Sequence, residues 1–159
     1  MIVRFFNRRV LHPIVNLLRQ GITPEKIALS IALGIALGVT PVLGSTSILC
    51  LLSAVVFRLN LPVIQLVNYF AYPLQFALLI PFIRIGEWLF AVEPIKISLA
   101  QILNLIRADV WSAISILWTT TMHALVAWLA LGSLGALLIY MLLAPALRKL
   151  ARSVQAGAR

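Results

Sequence analysis

Charged side chains are scarce in this sequence, and acidic ones are the scarcest. Its 159 residues include 4 Asp and Glu against 13 Lys and Arg, so that only 11% are charged and the formal net charge is +9. An ordinary soluble domain carries charge on about a quarter of its residues. With 62% hydrophobic residues, this chain cannot surround an apolar core with a charged shell. We therefore predict one integral membrane domain rather than a soluble enzyme.

Cysteine and the common catalytic motifs are also missing. Cys50 is the only cysteine, so no disulfide can form within the chain, and no Cys or His spacing is typical of a metal site. The sequence contains no Walker loop, no dinucleotide-binding fingerprint, no HExxH and no Gly-x-Ser-x-Gly. We therefore expect no metal, no cofactor and no enzymatic activity.

The basic residues that are present cluster at the two ends of the chain. Five lie between Arg4 and Lys26, and four lie between Arg148 and Arg159. A nucleic-acid groove would instead carry bases along one face with interleaved aromatic side chains, so we expect no nucleic-acid partner. Basic clusters beside apolar runs are typical of cytoplasmic ends that contact anionic lipid. Both termini are therefore predicted to be cytoplasmic, with an even number of membrane crossings.

Three windows without charge, residues 27–57, 59–83 and 110–147, define the candidate membrane segments. A straight helix needs about 20 apolar residues to cross a bilayer, so the first window is too long for one crossing and too short for two. Pro41 lacks an amide hydrogen and crowds the turn before it, and Gly44 permits a left-handed backbone. The pattern predicts two short helices joined by an elbow, either as a re-entrant hairpin or as a crossing element. The hairpin fits two full crossings and a cytoplasmic C-terminus.

Four regions follow from this reading of an all-α membrane fold. They are a basic interfacial segment (1–20), two broken helical elements (21–90), an amphipathic interfacial helix (91–118) and a C-terminal transmembrane helix with a basic tail (119–159). Pro73 and Pro81 are expected to kink or break the second element, and Gly34 and Gly38 to mark close helix packing. Re-entrant backbone must be buried in protein or line a wet cavity. We therefore expect a tight bundle, a homo-oligomer or a partner membrane protein.

Polar residues near the elbow are the candidate ligand-binding residues. A helix that starts there could hold an anionic group, such as a lipid phosphate, on its free amides. Asn68 and Gln75 either make interhelical hydrogen bonds or line a polar path, and His123 either handles protons or lies at the interface. The full candidate set is Pro41, Gly44, Ser45, Thr46, Ser47, Arg58, Asn68 and Gln75, in which Arg58 either adds charge to the site or only sets the topology.

Residues 20–90 resemble a known family. The strings Gly21-x-x-Pro24, Gly34-x-x-x-Gly38-x-x-Pro41-x-x-Gly44, Arg58-x-Asn60 and Pro73-Leu74 are similar to the small bacterial membrane family catalogued as domain of unknown function two-zero-six-two. One position departs, since the family commonly has Asn-Pro followed by Leu-Thr, where this chain has Tyr72-Pro73-Leu74-Gln75. The resemblance implies a bacterial inner-membrane protein, sometimes fused to glycosyltransferase domains that use lipid-linked sugars. It implies no established activity.

Two functions of different classes remain open at this point. The first is a lipid- or solute-transport component that binds an anionic group at the elbow. The second is a membrane anchor or assembly subunit, without transport, for a partner such as a lipid-linked glycosyltransferase. A ligand bound at the elbow would favour the first, and a stoichiometric protein partner without a polar site would favour the second.

Overall fold

The computed structural model describes residues 15–16, 21–93 and 110–156, and these contain four long or medium helices and no strand. The helices are α1 (Pro24–Gly38), α2 (Thr46–Val56), α3 (Leu61–Leu89) and α4 (Val110–Ala156). The all-α prediction is confirmed for this part of the chain. Most of the predicted interfacial segment 1–20, and residues 94–109 of the predicted amphipathic helix, lie outside the described residues. Residues 110–118 belong to α4, which continues into the predicted C-terminal crossing.

Helix α1 starts and stops where local chemistry requires it. The Thr23 hydroxyl accepts a hydrogen bond from the Lys26 amide at 3.4 Å and caps the first turn. At the other end, Pro41 has no amide hydrogen for the Leu37 carbonyl. Thr40 supplies two donors instead, because its amide (3.2 Å) and its hydroxyl (2.7 Å) both reach that carbonyl oxygen. The helix therefore ends before Pro41, as the sequence predicts.

Helices α1 and α2 form a hairpin around the elbow, residues 39–45. Gly44 adopts φ +85°, a left-handed backbone that glycine permits without strain. Leu33 and Leu37 of α1 pack against a buried cluster that Cys50 and Ala54 of α2 form with Ile64. The residues that precede α1 and those that follow α2 line a single cavity, so the hairpin begins and ends at the same end of the molecule.

Helix α3 is continuous through both of its internal prolines. Asn60 caps its start, since the side-chain oxygen accepts from the Val63 amide at 3.1 Å. Pro73 and Pro81 lie inside the helix, so that, of the kink or break expected in this second element, the break is absent. A helix can run through proline when neighbouring groups and small adjustments compensate for the lost hydrogen bond. The only broken helical element in the described residues is therefore the α1–α2 hairpin.

Helices α1, α3 and α4 each pack against the other two. A Cβ atom added at Gly34 would lie 2.9 Å from the Ile64 carbonyl oxygen of α3, so the two helices touch through the glycine. Helix α4 runs antiparallel to α1: Arg148 contacts Glu25 at 2.6 Å near the start of α1, and the Trp128 indole donates to the Ala36 carbonyl at 2.8 Å near its end. The Arg148 guanidinium lowers the pKa of the Glu25 carboxyl, chiefly through this hydrogen bond.

Helices α3 and α4 are long and apolar enough to cross a membrane. The 29 residues of α3 span about 43 Å, against a hydrocarbon core of about 30 Å. Their large apolar side chains point outward: Phe70 is 76% exposed and Leu142 is 74% exposed. Only 22% and 11% of the most apolar windows of α3 and α4 are buried, which is unlike the core helices of a soluble protein.

The charged residues of the described chain are divided unequally between the two ends of the bundle. We call the end that holds the start of α1 and the end of α4 the basal end, and the opposite one the distal end. The basal end carries five bases and one acid, namely Lys26, Arg58, Arg148, Lys149, Arg152 and Glu25. The distal end carries one base and two acids, namely Arg84, Glu87 and Glu93.

Candidate functional site

Four polar residues lie buried beside the elbow, and we call them the elbow cluster: Thr40, Thr46, Asn68 and Gln75. None of them is more than 1% exposed. Gly38 allows α3 to come this close, since a Cβ atom there would lie 2.6 Å from the Ala71 Cβ and 3.2 Å from the Asn68 side-chain oxygen. The cluster therefore combines the elbow itself, the start of α2 and the middle of α3.

Hydrogen bonds satisfy only part of the elbow cluster. The Gln75 Nε2 donates to the Thr40 carbonyl at 2.7 Å, which ties α3 to the elbow backbone. Four other buried atoms have no partner: the Asn68 Oδ1 and Nδ2, the Gln75 Oε1 and the Thr46 Oγ1. A buried polar group without a partner costs about 1–3 kcal/mol. Native proteins keep few such groups, and those few often have a functional reason.

The elbow cluster offers donors and acceptors but no formal charge. The Asn68 Nδ2 and the Thr46 hydroxyl can donate, whereas the Asn68 Oδ1 and the Gln75 Oε1 can accept. Residues 27–57 and 59–83, which supply the whole cluster, contain no ionisable acid or base other than Cys50 and tyrosine. The arrangement therefore suits a group with both donors and acceptors, such as hydroxyls, better than the bare anion that the sequence suggested.

The start of α2 leaves its first turn open. Ser45 holds the N-cap position but makes no capping hydrogen bond with its side chain, because its hydroxyl donates to the Val42 carbonyl at 2.9 Å instead. Thr46 is the first residue of α2, and its hydroxyl is among the unpartnered atoms. Both the helix start and a buried side chain therefore present unused hydrogen-bonding capacity to the elbow.

The structure separates the predicted candidates into three groups. Pro41, Thr46, Asn68 and Gln75 are buried at the elbow. Three further candidates, Gly44, Ser45 and Ser47, are exposed or half-buried on the elbow and the first turn of α2. Arg58 follows the far end of α2, about 18 Å along the helix from Thr46. Of the two roles open to Arg58, adding charge to the elbow is therefore not supported, because it lies at the basal end.

Two residues of the site have no obvious signal in the sequence. Thr40 donates to the Leu37 carbonyl, and its own carbonyl accepts from the Gln75 side chain. The one sequence signal for Thr40 is its position before Pro41. Trp128 supplies the donor for the Ala36 carbonyl at the end of α1, across 92 residues of sequence. A long-range contact of this kind follows from packing and not from a local motif.

His123 belongs to a different place in the bundle. A cavity of about 190 Å³ at the distal end is lined by His123, Glu87, Glu93 and Thr120, among others. Glu87 is 3% exposed and accepts a hydrogen bond from Arg84 at 2.9 Å. The His123 ring stacks on Phe90, with ring centroids 4.3 Å apart. Over the described ranges, no group of His, Cys, Asp and Glu could hold a metal ion.

Comparison with known proteins extends the resemblance noted above. A family model described as "Uncharacterized protein conserved in bacteria (DUF2062)" matches residues 4–155. No curated protein and no solved structure matches the chain. The match confirms the resemblance and covers all four helices almost completely, well beyond the segment that carries the motifs.

Proposed function

The chain belongs to this uncharacterised bacterial family, and on that premise we propose that it is an inner-membrane transport component that binds a polar group of a lipid or solute at the elbow cluster. The observation that carries the proposal is the Asn68 amide, which is fully buried and makes no hydrogen bond. A ligand that supplies hydroxyls would pair this amide together with the Gln75 Oε1 and the Thr46 hydroxyl. The cluster would then be a binding site completed by its ligand.

The unequal charge of the two ends supports an orientation in which the basal end faces the cytoplasm. Cytoplasmic ends of membrane proteins carry an excess of Lys and Arg, and the basal end carries most of the bases. In this orientation α3 leaves the cytoplasm, α4 returns to it, and the α1–α2 hairpin enters and leaves from the cytoplasmic side. The hairpin is then re-entrant, with two full crossings beside it.

The depth of the elbow supports a transport role. Gln75 lies about 21 Å along α3 from Leu61, near the middle of a helix of about 43 Å. Non-helical backbone at membrane depth is tolerated only where it is buried in protein or lines a cavity. Transporters commonly form their substrate sites near the bilayer midplane from interrupted helices. The elbow has this arrangement, with an open helix start and unpartnered polar side chains.

Removing one hydroxyl tests the proposal. Thr46→Val keeps the shape of the side chain and removes only its hydrogen-bonding atom, so that a bound molecule should be retained roughly fivefold less, as expected for one lost hydrogen bond. The measurement is mass spectrometry of small molecules that remain with the protein after extraction in polymer nanodiscs. Thr121→Val is the matched control, because the Thr121 hydroxyl already donates to the Leu117 carbonyl at 2.8 Å and lies on α4.

The outcomes of this comparison separate the two functions. If the retained molecule is lost from Thr46→Val but not from Thr121→Val, binding at the elbow is supported. Equal retention by both variants, or no retained molecule in the wild type, would refute it. A protein partner of fixed stoichiometry in the same preparations would then favour an anchor or assembly subunit.

Chemical labelling tests the re-entrant topology. In a Cys50→Ala background, a membrane-impermeant maleimide added outside the cell should label Glu93→Cys but not Leu43→Cys or Lys149→Cys. Leu43 is 56% exposed at the elbow, so its protection would come from the bilayer and not from the protein. Labelling Lys149→Cys in inverted vesicles checks the cytoplasmic side. Rapid labelling of Leu43→Cys from outside would mean that the hairpin crosses the membrane.

A further inference from the structure

Two motifs from the family resemblance, Gly21-x-x-Pro24 and Arg58-x-Asn60, take no part in the elbow cluster. The structure brings them together at the basal end around a cavity of about 250 Å³, which we call the basal cavity. Its lining includes Gly21, Thr23, Lys26, Arg58 and Asn60. We infer that the basal cavity binds a phosphate-bearing group. This inference does not rest on ligand binding at the elbow.

The charge of the basal cavity favours an anion. Lys26 and Arg58 reach it from different elements, and no acidic residue lines it. Glu25 is the nearest acid in sequence, and its carboxylate is held by Arg148 of α4 at 2.6 Å. Neither Lys26 nor Arg58 forms an ion pair with any part of the chain that the structure describes. Two cations without a counter-charge therefore share one cavity.

The backbone at Arg58 is unusual for a charged residue. Arg58 has φ 51°, in the left-handed region, and it follows the end of α2 in a Schellman arrangement. Its amide donates to the Val55 carbonyl at 3.3 Å, and the next amide, of Leu59, donates to the Ala54 carbonyl at 2.8 Å. Glycine is the usual residue at such a position. An arginine there keeps a guanidinium at the cavity although glycine would suit the backbone better.

The helix ends add to the positive field. Both α1 and α3 begin at the basal cavity, with Thr23 and Asn60 as their caps. The positive ends of the two helix dipoles therefore face the same space as the two cations. A planar guanidinium that can donate in pairs and an ammonium are donors that fit phosphate oxygens, and the helix starts add to the positive field.

A charge-matched pair of double variants tests the inference. Lys26→Gln with Arg58→Gly removes both cations of the cavity, and glycine at position 58 suits the left-handed backbone, so the protein should fold. Lys149→Gln with Arg152→Gln removes two bases from the same end of the molecule, and neither of these lines the cavity. Binding is measured by native mass spectrometry in detergent, with phosphatidylglycerol and diacylglycerol as separate lipid probes. Inorganic phosphate is added as a soluble competitor.

We expect phosphatidylglycerol to bind the wild type and diacylglycerol not to bind it. The cavity double variant should bind phosphatidylglycerol at least tenfold more weakly, and the control double variant less than twofold more weakly. Competition by inorganic phosphate would identify a site for phosphate from any source. A lack of competition would identify a site for the lipid headgroup. Equal weakening in both double variants would overturn the inference, because the attraction would then be diffuse.

Discussion

Replacing Asn68 by leucine is expected to stabilise the protein and to abolish retention of a ligand at the elbow cluster. Leucine has nearly the shape of asparagine, with two methyl groups in place of the amide oxygen and nitrogen. Both of these polar atoms are buried and unpartnered in the free protein, and each costs about 1–3 kcal/mol. The substitution removes that cost, which is about 2 kcal/mol for the two atoms at the lower end of the range, so that the melting temperature should rise by about 4–8 °C. It also removes the donor and the acceptor that a ligand would use.

Opposite changes in stability and binding are what distinguish a site from a structural contact. The melting temperature in detergent and ligand retention in nanodiscs are measured on the same preparations of wild type and Asn68→Leu. Thr121→Val, whose hydroxyl is paired within α4, should change neither by much. A fall in the melting temperature of Asn68→Leu would show that its amide is hydrogen-bonded in the resting protein, and the main support for the proposed function would be lost.

Local sequence signals predict the hairpin well because its cause is local. Pro41 removes one amide, Thr40 takes over the orphaned carbonyl and Gly44 accepts the left-handed turn. The same reasoning fails for α3, where Pro73 and Pro81 lie inside a continuous helix. A proline in a sequence shows that one hydrogen bond is missing, but whether the helix continues depends on the packing around it. In α3 that packing comes from elements distant in sequence.

The candidate site also contains residues that the sequence identifies and contacts that depend on packing between distant elements. Composition alone identifies Asn68 and Gln75, because amides are conspicuous in an apolar window. The hydrogen bond from Gln75 to Thr40 depends on α1 and α3 touching at Gly38, which the glycine spacing suggested without naming the partner helix. Of the two roles open to Arg58, adding charge at the elbow requires it to lie nearby, yet α2 carries it to the basal end. The eleven residues of α2 hold Arg58 too far from the elbow for a hydrogen bond.

Gly86 is expected to be the glycine least tolerant of substitution in the contact between α3 and α4. A Cβ atom there would lie 2.6 Å from the carbonyl carbon and oxygen of His123 and 2.9 Å from the Ala124 amide nitrogen. These are backbone atoms, so no change of rotamer can make room, and the helices would have to separate. We expect Gly86→Ala to lower the free energy of unfolding by about 2–3 kcal/mol, at the upper end of the usual cost of overpacking.

Gly135→Ala provides the matched control on α4, because no atom outside its own helix lies within 4 Å of an added Cβ. It should stabilise the protein by about 0.5–1 kcal/mol, since alanine loses less conformational freedom than glycine on forming a helix. The two variants therefore make the same chemical change with opposite expected signs, read as midpoints of unfolding in mixed detergent micelles. Stabilisation of both would contradict the close contact of α3 with α4 at Gly86. Destabilisation confined to Gly86→Ala would locate the contact that holds the distal ends of the two long helices together.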